Sequence, residues 1–139
     1  MAKVFDYLPT VGRLLLCSLF IWSGYVKLMH PVSTAEYFAN GGVAAAGLMV
    51  WVAIVVELAG GVAVLVGFKI RWAAAILAAW TLVTGFAVHL AVALHSADAM
   101  AAYDNMIHFY KNLVIAGGLL YVVAFGAGPL SVDNRARAR

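Results

Sequence analysis

Six residues that could bind a ligand or carry a proton lie within long apolar stretches of this 139-residue sequence. They are Lys27, Glu57, His89, His108, Lys111 and Asn112. Ionisable side chains are costly inside a bilayer, so they usually face a bundle interior and mark ligand or proton pathways. Lysine, histidine and asparagine can donate hydrogen bonds to a carbonyl group, and a carboxylate or imidazole can relay a proton.

Glu57 is the hardest of these residues to accommodate, because it falls near the middle of an apolar stretch. A carboxylate at that depth needs a cationic partner or a proton. Arg13 is the candidate for a structural ion pair with Glu57, although its guanidinium could instead extend to the headgroups on the cytoplasmic side. Lys27 and Lys111 lie closer to the ends of their stretches, and their ammonium groups could instead extend to the lipid headgroups.

The sequence offers few other sites for redox chemistry. His89 and His108 fall at similar depths, as two axial haem ligands would, but histidines near a membrane interface are common and we expect neither haem nor another metal site. The single cysteine, Cys17, excludes an intramolecular disulfide and a dithiol site. Since flavin and Fe–S motifs are also missing from the sequence, an electron donor would have to be a partner protein or a bound cofactor.

The composition is that of an integral membrane protein. Hydrophobic residues make up 65% of the chain, charged residues 11%, and the mean hydropathy is +0.98. A soluble domain has roughly 45–50% apolar and about 25% charged residues. The net charge is +3, but the basic residues sit in short loops and the tail, where they indicate topology rather than nucleic-acid binding.

Four apolar stretches are each long enough to cross a bilayer as a helix of about 20 residues. They cover residues 8–28, 48–68, 72–94 and 106–125. A short interfacial helix is expected within 32–47, and residues 130–139 form a polar tail. Barrel strands would be shorter and would alternate in polarity, so we predict one all-α domain over residues 1–139, a transmembrane four-helix bundle.

Lysine and arginine positions predict how this bundle is oriented. One side of a four-span protein would carry Lys3, Lys69, Arg71, Arg135, Arg137 and Arg139. Cytoplasmic loops are enriched in these residues. We therefore expect both termini, including the tail, on the cytoplasmic side of a bacterial inner membrane.

Helical periodicity places the polar residues on shared faces. Ser23 and Lys27 share a stripe of the first span, and His108, Lys111 and Asn112 share a stripe of the fourth. If both stripes face inward, the bundle contains a polar pocket in its outer half with Glu57 at its floor. The glycine pairs 60–61 and 117–118 would let neighbouring helices approach closely.

Short motifs in a fixed order resemble those of the DoxX family of small four-span bacterial inner-membrane proteins. These motifs are Arg13 with Phe20, Ser23-Gly24 and Lys27-Leu28, then Glu57-Leu-Ala-Gly-Gly61, then His108-Phe-Tyr-Lys-Asn112 followed by Gly117-Gly118, and finally Gly128-Pro129 through Asp133. The resemblance implies the four-span topology. It also implies a link to redox chemistry, since the family name derives from a subunit of a thiosulfate–quinone oxidoreductase.

Two functions fit these observations best, since transport of a small molecule or a proton through the pocket would require the four short spans to oligomerise. The first is a redox-associated, quinone-linked membrane subunit, which as an enzyme would act within a quinone-linked oxidoreductase complex. The alternative is a noncatalytic membrane anchor, assembly or partner-binding subunit. The lipid bilayer is the certain partner, whereas a redox partner protein and a homo-oligomer are both left open, as is the substrate.

Overall fold

The computed structural model describes residues 5–137, and every regular element in that range is helical. Lys3 and Arg139, which contribute to the predicted orientation, lie outside the described residues. The elements are α1 (Leu8–Met29), α2 (Pro31–Asn40), α3 (Ala46–Val66), α4 (Ile70–Thr84), a π-helical segment (Gly85–Leu90), α5 (Ala91–His95), α6 (Ala99–Phe125) and α7 (Val132–Arg137).

Four helices are long and apolar enough to cross a membrane, which confirms the all-α, four-span fold. They are α1, α3, the continuous helix Ile70–His95 and α6. The fourth begins at Ala99, although the sequence predicted a fourth span over residues 106–125. Asp98 explains the difference, because its side chain accepts a hydrogen bond from the backbone N–H of Met100 at 2.9 Å and so caps the helix.

A π-helical segment interrupts the third span where a plain α-helix was expected. It covers Gly85–Leu90 and carries His89. Gly85 is buried against α6, so closely that a Cβ there would lie 3.2 Å from the Cβ of Asn112. π-Helical turns inside α-helices occur frequently at functional sites, and this one brings α4 and α6 together beside two residues of the predicted pocket.

The helices pack as two closely joined pairs, α1 with α3 and α4 with α6, and α3 also packs on α4. The larger core cluster includes Cys17, Leu77 and Leu119. Helix α2 folds back so that Phe38 packs with Val50 and its neighbours on α3. By contrast, α1 and α6 contact each other only sparsely.

The predicted polar tail folds back onto the bundle. Its short helix α7 carries Asp133, whose two carboxylate oxygens accept hydrogen bonds from the backbone N–H groups of Lys69 (2.8 Å) and Ile70 (2.9 Å). The N–H of Asp133 in turn donates to the carbonyl of Gly67 at 3.0 Å. Asp133 therefore satisfies donors that the N-terminus of α4 would otherwise leave unpaired.

Close helix approach depends on glycines in three of the four predicted positions. A Cβ added at Gly60 would lie 2.9 Å from Leu77, one at Gly61 would lie 3.0 Å from Ile21, and one at Gly118 would lie 3.3 Å from Leu16. A Cβ added at Gly117 would meet no described residue of another element within 4 Å, so its predicted packing role is wrong. A further contact glycine is Gly24, where a Cβ would lie 2.8 Å from Leu58.

We expect Gly24→Val to destabilise the protein by about 1–3 kcal/mol, because the new side chain would overpack the α1–α3 contact. Gly117→Val is the matched control, since it makes the same change within a span but faces open space. Thermal unfolding in detergent measures both variants. Equal losses would mean that helix propensity, rather than the α1–α3 contact, explains the requirement at Gly24.

Candidate functional site

A buried ion pair joins three helices in the middle of the bundle. Glu57 on α3 is only 6% exposed. Its Oε2 atom lies 2.8 Å from the Nζ atom of Lys27 on α1, and its Oε1 atom accepts a hydrogen bond from the indole N–H of Trp80 on α4 at 3.2 Å. The Lys27 ammonium also donates to the hydroxyl of Ser23. Both carboxylate oxygens are thus satisfied by donors from neighbouring helices.

The predicted ion pair between Arg13 and Glu57 is wrong. Arg13 is 2% exposed, and its guanidinium donates to the carbonyls of Leu130 and, at 3.5 Å, Leu65, and to the hydroxyl of Thr10. Arg13 lies at the depth where α3 ends, and the last carbonyls of a helix attract a cation. Lys27 lies deeper toward the other side of the membrane, at the level of the carboxylate.

A cavity of about 600 Å³ occupies the half of the bundle that contains the α1–α2 and α5–α6 connections. All six residues singled out from the sequence line it: Lys27, Glu57, His89, His108, Lys111 and Asn112. Apolar and aromatic side chains form much of the remaining wall, among them Phe20, Phe38 and Ile115. Ligand cavities typically have about 300–1,000 Å³ and a mostly apolar lining with a few polar groups.

The two histidines stack at the side of this cavity. The ring centroids of His89 and His108 are 5.1 Å apart and the ring planes differ by 21°. The Nδ1 atom of His89 lies 3.0 Å from the amide oxygen of Asn105. Because an amide oxygen only accepts hydrogen bonds, Nδ1 of His89 carries a proton. The stacked rings leave no space for a porphyrin between them, and no cluster of three or more metal-ligating residues occurs among residues 5–137.

Tyr37 on α2 supports the same amide and was not singled out from the sequence. Its hydroxyl donates to the Asn105 oxygen at 3.5 Å, and the Asn105 amide nitrogen donates to the carbonyl of Ala101 at 2.9 Å. Partial burial raises the pKa of the Tyr37 hydroxyl, so it stays a neutral donor. Asn105 is therefore held from three sides and fixes the orientation of His89.

Residues of α4 complete the lining and were also missed. Trp80 holds Glu57 through its indole N–H. A tryptophan within a span needs an acceptor for that N–H, and this requirement could have indicated the contact. Thr81 and Thr84 line the cavity too. The Thr81 hydroxyl is buried without a hydrogen-bond partner among the described residues.

Three side chains on α6 remain uncommitted at the mouth of the cavity. His108, Lys111 and Asn112 make no side-chain hydrogen bond to any residue that the structure describes. At the floor of the cavity, by contrast, Glu57 is not free to bind a ligand in this way, because its charge is balanced by Lys27. The arrangement can therefore offer hydrogen bonds from an ammonium, an imidazole and an amide to a ligand that carries oxygen acceptors.

Comparisons with known proteins find a family match and relatives from an inner membrane. A protein family described as DoxX matches residues 8–90. The inner membrane protein YqjF of Escherichia coli (strain K12) is 35% identical over 134 residues, which are 96% of this chain and 95% of YqjF. The inner membrane protein YphA of the same organism is 32% identical over 127 residues, 90% of this chain and 87% of YphA. No solved structure matches significantly.

Removing one member of the buried ion pair should be costly. We expect Glu57→Gln to lower the free energy of unfolding by up to about 3 kcal/mol. This value is at the low end of the cost of removing one partner from a buried ion pair, because the Lys27 side chain is still 18% exposed. Glu36→Gln on the exposed part of α2 is the control and should stay within about 0.5 kcal/mol of the wild type.

A double-mutant cycle tests whether this cost belongs to the pair. The variant Lys27→Met combined with Glu57→Gln should lose less stability than the sum of the single variants, since no unpaired charge remains. Unfolding by denaturant in detergent measures all four proteins. Strictly additive losses would show that the two side chains act independently.

Proposed function

The chain belongs to the DoxX family of integral inner-membrane proteins, and from that premise we propose that it is the membrane subunit of a quinone-linked redox system. In this proposal the cavity near Lys111 holds a quinone headgroup. The observation that carries the proposal is the set of uncommitted donors on α6, His108, Lys111 and Asn112, beside a largely apolar wall.

The lining residues suit a quinone. Its flat ring presents two carbonyl oxygens as acceptors, and the rest of the molecule is apolar. Lys111 and Asn112 are adjacent on α6 and both line the cavity, so their side chains can donate hydrogen bonds to such oxygens. Phe20 and Ile115 provide apolar contact for the rest of the molecule. A bound quinone would supply the capacity to take up two electrons and two protons.

His108 is the residue that we assign to proton transfer. It is exposed at the cavity mouth, and it stacks on His89, whose orientation is fixed by Asn105. Asn105 accepts hydrogen bonds from both Tyr37 and His89, so its oxygen positions these groups without passing a proton between them. A proton would therefore enter or leave through the His108 imidazole.

Electrons would come from outside this chain. With a single cysteine, which is buried at Cys17, the sequence provides no dithiol of its own. We therefore propose a redox partner protein or another bound cofactor as the electron donor, so that any enzymatic activity belongs to a complex.

The noncatalytic alternative is favoured by one specific feature of the site. Both oxygens of Glu57 are saturated by Lys27 and Trp80, as expected of a residue that locks helices together. Under this alternative the protein is an anchor, assembly or partner-binding subunit. Its purification would then yield a stoichiometric protein partner and no small molecule bound in the cavity.

Quinone retention tests the redox proposal. Protein extracted in mild detergent should carry a quinone that mass spectrometry detects, and His108→Phe or Lys111→Gln should lower its occupancy about tenfold, as expected when a hydrogen bond of roughly 1.4 kcal/mol is lost. His95→Phe is the matched control, because His95 does not line the cavity. A wild-type protein without quinone, or equal loss in His95→Phe, would refute the proposal.

We also propose that both termini face the cytoplasm. Lys69 in the α3–α4 turn and Arg71 at the start of α4 lie at the same end of the bundle as α7 with Arg135, because Asp133 binds the start of α4. Basic residues concentrate in cytoplasmic loops, which supports a cytoplasmic location for this end.

Reporter fusions check this orientation. A fluorescent protein fused to the C-terminus should fluoresce, and alkaline phosphatase at the same position should be inactive. In a control fusion after Ser96, in the α5–α6 connection, alkaline phosphatase should be active. The reverse pattern would place the termini in the periplasm.

A further inference from the structure

A second cavity, of about 780 Å³, lies at the opposite end of the bundle from the first. It forms where α7 and the turn after α6 fold against the start of α4. The start of α4 contributes Arg71 and Trp72 to the lining, and Lys69 precedes them in the chain. On the other side, the lining includes Phe125 at the end of α6 and Gly126 just after it. Asp6, before α1, also lines the cavity.

Arg71 is the uncommitted cation of this cavity. The side chain is exposed, and it makes neither an ion pair nor a hydrogen bond to any residue within 5–137. Two carboxylates line the same cavity, but Asp133 is occupied by the backbone N–H groups of Lys69 and Ile70. The Lys69 ammonium lies 5.8 Å from the ring centroid of Phe68. The Arg71 guanidinium is thus the cation best placed for an external anion.

Large aromatic residues flank the cavity and face away from the bundle. Trp72 is 74% exposed and Phe125 is 78% exposed. In a membrane protein such surfaces contact lipid, and aromatic residues at the ends of spans sit at headgroup level. The cavity therefore lies where phospholipid headgroups meet the protein, with apolar surface available on both sides for acyl chains.

We propose that this second cavity binds the phosphodiester headgroup of a membrane phospholipid, with Arg71 as its principal ligand. Guanidinium groups recognise phosphate oxygens through paired, charge-assisted hydrogen bonds. Basic pockets between helices on the cytoplasmic side of membrane proteins bind lipid headgroups. The acyl chains would lie along Trp72 and Phe125.

Asp6 limits which phosphate the cavity accepts. Its carboxylate also lines the cavity and opposes an incoming anion, more strongly the higher the charge of that anion. A phosphodiester carries one negative charge, whereas inorganic phosphate near neutral pH carries more. This difference favours a lipid headgroup over free phosphate.

Native mass spectrometry of delipidated protein tests the site. With phosphatidylglycerol added in detergent, the wild type should retain one lipid, and Arg71→Gln should weaken its binding about tenfold, which corresponds to the loss of a hydrogen bond to a charged group. Arg135→Gln is the matched control. Arg135 is an exposed arginine on α7 that does not line the cavity, so its loss changes net charge equally and should leave binding unchanged.

Three outcomes would overturn the proposal. Equal weakening in Arg71→Gln and Arg135→Gln would show that only the general positive charge attracts lipid. Displacement of the lipid by inorganic phosphate at similar concentration would identify a free-phosphate site. A wild type that retains no lipid would exclude the site altogether. Quinone retention in the distant first cavity should be the same in all variants, so this proposal and the quinone proposal can fail separately.

Discussion

A carboxylate held in the interior of a membrane must find a positive charge and further donors, and the arrangement around Glu57 follows from that requirement. Lys27 supplies the charge from α1 and Trp80 supplies an indole N–H from α4. Because these partners come from two other spans, α1, α3 and α4 are fixed relative to one another at one depth. Glycines at positions 24, 60 and 61 permit the short distances between the same three helices.

The fourth span is held in a different way, and the cavity results from this difference. Helix α6 packs on α4 along much of its length but meets α1 only sparsely. Leu16 lies beside Gly118 on α6, and Pro9 lies beside Gly128 in the turn that follows α6, both toward the end where the chain termini lie. Toward the other end, space remains between the spans, and the polar stripe of α6 faces it. Residues on α6 thus stay available for a ligand, whereas Glu57 does not.

Much of this architecture could be predicted from the sequence, because hydropathy and helical periodicity determine which stretches span and which side chains share a face. Six of the residues that line the first cavity were recognisable as polar exceptions within apolar stretches. The partner of Glu57 could not be recognised in the same way. Choosing between Arg13 and Lys27 requires knowing how deep α1 and α3 lie in the membrane relative to each other, and a hydropathy pattern defines this only coarsely. The π-helical segment at Gly85 and the return of Asp133 to α4 depend on tertiary contacts that leave no periodic signal.

The saturation of Glu57 also constrains how the proposed redox function could work. Protonating this carboxylate would remove the counter-charge of the Lys27 ammonium, whose side chain is only 18% exposed, and breaking a buried pair in this way is costly. The carboxylate is therefore a poor proton carrier in this protein, although its depth alone would suggest that role. The imidazole of His108 forms no ion pair with a described residue and lies exposed at the cavity mouth. Proton exchange with a bound quinone is accordingly expected at the rim of the bundle, while the ion pair at its centre maintains the cavity.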